Sequence, residues 1–120
     1  MKKPKWATKR RYKVVTLDRK SPIINRFTNC SASYNIHGSV LVYTKNTLVS
    51  AEDGLCEIKN HNCCRGINAY KTLRQARKHM DIDRIVIIVW SNRWINTITN
   101  KCRAKTVWVG NSEWKFLEDY

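Results

Sequence analysis

Acidic residues are scarce in this chain. Its 120 residues carry nine Asp and Glu against 23 Lys and Arg, a formal net charge of +14 at pH 7. That balance disfavours a cationic partner and favours an anionic one. Long apolar runs are missing too. The longest, Ile85 to Trp90, has the length of a buried strand and falls well short of the roughly 18–20 residues that span a bilayer. The basic N-terminus has no apolar stretch behind it, which argues against a secretory signal. Pro4 and the clustered Lys and Arg do not form an amphipathic targeting helix. Without a secretion signal, the five cysteines (Cys30, Cys56, Cys63, Cys64 and Cys102) are expected as reduced thiols of a cytoplasmic protein, host-cell cytoplasm if viral.

Catalytic signatures are equally thin. The chain has no G-x-x-x-x-G-K-[ST], no G-x-G-x-x-G and no H-E-x-x-H. Ser21, Ser31 and Ser33 with His37 or His61 make no nucleophile elbow. Cys63 and Cys64 stand near His61 only in sequence, which is a weak basis for a thiol–base pair. The acids fall at turns and termini and do not cluster as a metal-dependent nuclease requires. Cys56, His61, Cys63 and Cys64 offer soft ligands, but C-x₄-H-x-C-C matches no zinc pattern and adjacent cysteines rarely share one ion. The expectation is a non-enzymatic protein without cofactor or bound metal.

What is present is positive charge, concentrated in three places. The first twenty residues hold Lys2, Lys3, Lys5, Lys9, Arg10, Arg11, Lys13, Arg19 and Lys20 against Asp18 alone, a net +8. A second cluster comprises Arg65, Lys71, Arg74, Arg77, Lys78 and Arg84. A third, Arg93, Lys101, Arg103 and Lys105, is interleaved with Trp94 and Trp108. A phosphate backbone is the commonest partner for such charge, because each neutralised phosphate releases condensed counterions. Aromatics set among cations on a sheet face would add stacking and cation–π contacts to a single strand. Taken singly, each Trp is better read as a core or half-buried sheet residue with snorkelling cationic neighbours. No RRM-type or KH-type signature is present.

With 42% hydrophobic residues the chain has enough for one folded domain. Residues 1–10 read as a flexible basic arm and 11–120 as a single α+β domain. Residues 12–17 alternate and are β-branched, which predicts the first strand. Ser39–Tyr43 is a second, and Thr47–Val49 continues extended. Residues 23–38 have no clear pattern, and 55–65 read as a loop or short hairpin. Gly66–Lys71 is expected as a strand, Thr72 as the cap of a short helix with Gln75 at the capping-box position. Arg84–Trp90, apolar on both faces, belongs in the middle of the sheet. Trp94–Thr99 alternates weakly. Gly110-Asn111 reads as a two-residue loop joining strands 104–109 and 112–117. The architecture expected is one sheet of about five or six strands, packed by one main helix and finished by a C-terminal hairpin. An exposed hairpin edge would make homo-oligomers plausible.

The strings Tyr12-Lys13-Val14-Val15-Thr16 with Arg19-Lys20-Ser21, Tyr43-Thr44-Lys45, and Gly66-Ile67-Asn68-Ala69-Tyr70-Lys71-Thr72 with Ala76 carry a resemblance. They resemble small, mostly uncharacterised accessory proteins of bacteriophages and mobile elements, with a "YKVV…RKS" strand and a G-I-x-x-F/Y-K-T-x-x-x-A strand-to-helix turn. The resemblance covers about residues 12–90. The chain departs from that pattern in its Cys/His-rich stretch at 56–65 and in its Trp-rich C-terminal segment. The resemblance implies an accessory phage protein and transfers no catalytic residues.

The function expected from all this is binding of nucleic acid or a nucleoprotein complex. The residues expected to carry it are Lys2, Lys3, Lys5, Trp6, Lys9, Arg10, Arg11 and Lys13 in the arm. To these are added Arg74 and Lys78 on the helix with Lys71 just before it, and Arg103 and Lys105 near the C-terminus. The alternative partner is a host protein with an acidic surface, as for an inhibitor of a host defence or transcription machine. A third reading is a small enzyme or sponge for an anionic nucleotide. No membrane partner is expected.

Overall fold

The structure, a computed structural model, describes residues 2–20, 41–51, 54–60, 66–97 and 100–116. Seven strands and one helix follow in chain order: β1 (Lys9–Thr16), β2 (Leu48–Ser50), β3 (Ile67–Tyr70), α1 (Leu73–Arg77), β4 (Arg84–Ser91), β5 (Ile95–Asn96), β6 (Lys101–Ala104) and β7 (Thr106–Lys115). They form one sheet in the order β2-β7-β4-β1-β3-β6-β5, every neighbouring pair antiparallel. The coarse class, a sheet with a helix, matches the sequence expectation. The sheet has seven strands where five or six were expected, and the helix is only five residues long.

The topology dictates the sheet's shape. Strands in an antiparallel sheet alternate direction, so β6 and β7, four places apart in the order, run the same way. Only Lys105 separates them in sequence, and the chain passes from one to the other without reversing. Such a continuous strand can serve both halves only if the sheet curls until they meet, in the manner of a barrel corner. Two hydrogen bonds fasten the bend: Ala51 N donates to Lys105 O at 2.8 Å, and Ser91 Oγ donates to Thr106 O at 2.9 Å.

Curling gives the sheet an inner and an outer face. The register assigns them, because directly paired residues point the same way. Val15, Ile85, Ile87, Val89, Val107, Val109, Ile67, Ala69 and Ala104 fill the inside, joined there by Tyr43, Val49 and Ala51. A smaller outer cluster joins Val14 and Val86 of the sheet to Ala76 of α1, edged by Tyr12, Tyr70, Leu73, Met80 and Trp114. This division explains why Ile85–Val89 is apolar at every position: β4 feeds both clusters, as a central strand must.

The Gly110-Asn111 hairpin is not formed. β7 runs through both residues and stays paired to β4 on either side, with Val109 opposite Val89 and Glu113 opposite Ile87. The extra residues are taken up as a bulge where the register shifts between Ile87 and Val89. A glycine inside a strand marks this kind of close approach as readily as it marks a turn. A Cβ at Gly110 would lie 3.4 Å from both Ile88 O and Trp90 Nε1. The long apolar β4 needs a partner along its whole length, and that requirement overrides the local turn signal.

Other boundaries shift less. β1 starts at Lys9, so the last two residues of the expected arm are strand. Residues 2–8 form a turn in which Ala7 N donates to Pro4 O at 3.1 Å and Ala7 is fully buried. Thr72 caps α1 as its position predicted, its hydroxyl accepting from Gln75 N at 3.2 Å. Of the segment expected as a strand at 39–43, Leu41–Tyr43 makes one isolated bridge, between Val42 and Lys20. Ser39, Val40 and residues 23–38 lie outside the described residues, as do Ile98 and Thr99.

Candidate nucleic-acid interface

The outer face carries two cross-strand rows that the register alone creates. One runs Arg10, Trp90, Trp108, Leu48 across β1, β4, β7 and β2. The next runs Lys101, Tyr70, Tyr12, Ile88 across β6, β3, β1 and β4. Each row has a cation at one end and aromatic rings beside it, although Trp108, 3% exposed, and Ile88 are buried, so that Trp90 is the ring the first row presents. Tyr12 also meets Trp114 edge to face, their centroids 6.0 Å apart at 61°. Trp90, Tyr12, Tyr70 and Trp114 are all half-buried, so each presents part of a ring to solvent.

Basic segments border this aromatic surface on two sides. The N-terminal turn folds over the first row, with Lys3 Nζ 3.9 Å from the centroid of the Trp90 ring and also donating to Ala7 O. Lys2, Lys5 and Trp6 beside it are exposed. At the other end α1 covers Val14 and Val86 with Leu73 and Ala76, and turns Arg74, together with the flanking Lys71 and Lys78, to solvent. The arm and the helix therefore lie on the same face of the sheet.

Beyond α1, His79 N donates to Ala76 O and Met80 N to Arg77 O, extending the helix by a tight turn. This brings the His79 ring onto Tyr70, stacked at 4.8 Å and 14°. Lys101 Nζ lies 5.4 Å from the centroid of the same Tyr70 ring. Burial pulls the Lys101 ammonium below its ordinary pKa. Loss of water, then the charges of Lys101, Lys78 and Arg84, holds His79 below its ordinary value. Burial raises Tyr70, an effect opposed by Arg84.

Carboxylates do not answer this charge. Among the described residues, ion pairs join Lys45 and Arg19 to Glu113 at 2.9 and 3.6 Å, Lys20 to Asp18 at 3.4 Å, and Arg93 to Glu57 at 2.5 Å. None of these reaches Lys3, Arg10, Lys71, Arg74, Lys78, Arg84 or Lys101.

Two residues expected to meet phosphates are instead inside the protein. Lys13 points to the inner face, 7% exposed, donating to Asn68 O at 2.7 Å with its Nζ 5.3 Å from the Tyr43 ring centroid. Burial, reinforced by the charge of Lys101, lowers its pKa to about 7. Arg103 is fully buried and is spent on structure: its Nε donates to Cys56 O at 2.6 Å and its Nη2 to Ile58 O, holding residues 56–58 against β6. Alternation explains the first: Arg10 and Tyr12 face out, so Lys13 must face in. Arg11 and Lys9 share that inner side, where Arg11 lies 5.7 Å from the Trp94 centroid and Trp94 Nε1 donates to Lys9 O at 2.9 Å. Lys105 is exposed at the bend.

Trp90, Tyr12, Tyr70, Trp114, Lys101, Arg84 and His79 join the candidate surface although sequence reasoning did not single them out as contacts. The alternation Arg10, Tyr12, Val14 was a usable signal for one of them. The others depend on strand register, which one sequence does not display. Cys56 and Cys102 are buried, and burial raises the Cys102 pKa. His61, Cys63, Cys64 and Cys30 lie outside the described residues, and among the described residues no group of His, Cys, Asp and Glu could hold a metal ion. No helix among them is long and apolar enough to cross a membrane. Compared with protein-family models, curated proteins and solved structures, the chain finds no match.

Proposed function

We propose that this protein binds nucleic acid, single-stranded in the contact region, along the outer face of its curled sheet. The observation that carries this reading is the pair of cross-strand rows, Arg10-Trp90-Trp108-Leu48 and Lys101-Tyr70-Tyr12-Ile88, bordered by the basic arm and the basic helix. Partly exposed rings offer stacking platforms to unpaired bases, and the cation at one end of each row, with the bordering basic segments, neutralises the backbone that links those bases. A duplex hides its base faces and would leave the rings unused. No catalytic step is part of this reading. The resemblance to phage accessory proteins suits a small binding module of this kind.

The contacts would divide by chemistry. Lys2, Lys3, Lys5, Arg10, Lys71, Arg74 and Lys78 neutralise phosphates, and Trp90, Tyr12, Tyr70 and Trp6 stack. The test is fluorescence anisotropy with a labelled single strand across a salt series. Each phosphate contact adds about 0.7 to the slope of log K against log salt for a single strand. Replacing Lys2, Lys3 and Lys5 together by Gln should therefore flatten the slope by about 2. An affinity that is independent of salt, or a nuclease-resistant protein partner recovered in its place from lysate, would overturn the proposal.

A further inference from the structure

Cations from three separate elements lie near enough to His79 for their charges to act on it. Lys78 comes from the end of α1, Arg84 from the start of β4 and Lys101 from the start of β6. Tyr70 joins His79 to Lys101: His79 stacks on its ring at 4.8 Å, and Lys101 Nζ lies 5.4 Å from its centroid. Holding like charges together beside a half-buried ring is unfavourable, and the register and the docking of α1 impose it nonetheless. Among the described residues no ion pair joins a carboxylate to Lys78, Arg84 or Lys101; Asp81 and Asp83 stand in the turn that leads into Arg84. His79 and Lys78 are exposed, so the cluster is open to solvent on one side.

We propose that this cluster is a binding site for a phosphate dianion, namely the terminal phosphate of a strand lying on the outer face. This rests on the nucleic-acid reading and adds to it a preference for strand ends. A terminal phosphate carries about −1.5 to −2 charge at pH 7, whereas a bridging phosphodiester carries one. Interaction with a fixed set of cations scales with that charge, so the cluster discriminates in favour of the end. His79 deepens the effect. Loss of water, then the charges of Lys101, Lys78 and Arg84, disfavours its protonation in the free protein, and a bound dianion opposes the part that those charges supply.

The test uses the full chain and one oligonucleotide sequence prepared with a 5′-phosphate, a 3′-phosphate or hydroxyls at both ends. One of the phosphorylated strands should bind roughly tenfold more tightly than the hydroxyl-ended one. That preference, read as the ratio of phosphorylated to hydroxyl-ended affinity within one variant, should fall to about one in His79→Gln and in Lys101→Gln, whatever either substitution does to strand binding as a whole. His79 is exposed, so its replacement leaves the fold intact even if Lys101→Gln does not. Equal affinity for all three strands, or a preference that survives both substitutions, overturns the inference and leaves strand binding itself standing. If no strand binds, the broader reading fails and inorganic phosphate decides the site. A shift of the histidine ring resonances that are missing in His79→Gln sustains it, and unmoved resonances overturn it.

Discussion

Lys13 shows how a single position can look like surface and behave as core. In the sequence it continues a basic run; in the fold it is enclosed beside Tyr43 and bonded to Asn68 O. Its folded pKa of about 7 lies below the ordinary 10.5, so between these values the unfolded chain holds a proton that the folded chain has released. Stability therefore rises with pH across that window, and the full penalty of a buried ammonium is present below it. Lys13→Met should stabilise the protein by about 1 kcal/mol or more at pH 6–7, a gain that shrinks towards pH 10. Urea unfolding at several pH values checks this, and a gain that grows with pH would refute the sign. Arg103 is the opposite case, a buried cation whose bonds fix a loop. Arg103→Met should cost about 3 kcal/mol in the same measurement, because it leaves the Cys56 and Ile58 carbonyls without their donor.

At the scale of elements, what could be read depended on whether the signal was local. The Thr72 cap was legible because a helix start is decided within four residues, and Thr72→Ala should remove about 1 kcal/mol of stability. Arg84–Trp90 was legible as a central strand because burial on both faces leaves no polar position. Gly110-Asn111 was misread because its conformation is decided by β4, a strand distant in sequence whose length needs β7 to run on. Gly110→Val should lower the melting temperature, since its side chain would press on Ile88 O and the Trp90 indole. The candidate site was half legible for the same reason. The basic arm and helix are continuous in sequence, so their charge was evident. The rows of rings between them exist only through pairings such as Tyr12 with Tyr70, which no local pattern specifies.

For the molecule as a whole, the curl of the sheet separates two jobs. The inner face is closed around mainly aliphatic side chains with Tyr43 and Lys13 among them, and the outer face keeps the rings of Trp90, Tyr12, Tyr70 and Trp114 partly within reach of solvent while Trp108 is buried. Among the described residues the edge strands are short, three residues in β2 and two in β5, and short edges limit pairing with another copy. The long hairpin edge on which self-association was expected is not formed. The five Trp indole N–H resonances report on both faces at once, and titrating a short single strand into isotope-labelled protein is the most direct test of where it binds. Trp90, on the outer row under Lys3, and Trp6, exposed in the arm, should shift progressively. Trp94, tied to Lys9 O on the inner side, should stay in place. Movement of Trp94 with Trp90 unchanged, or no movement at all, would contradict the account.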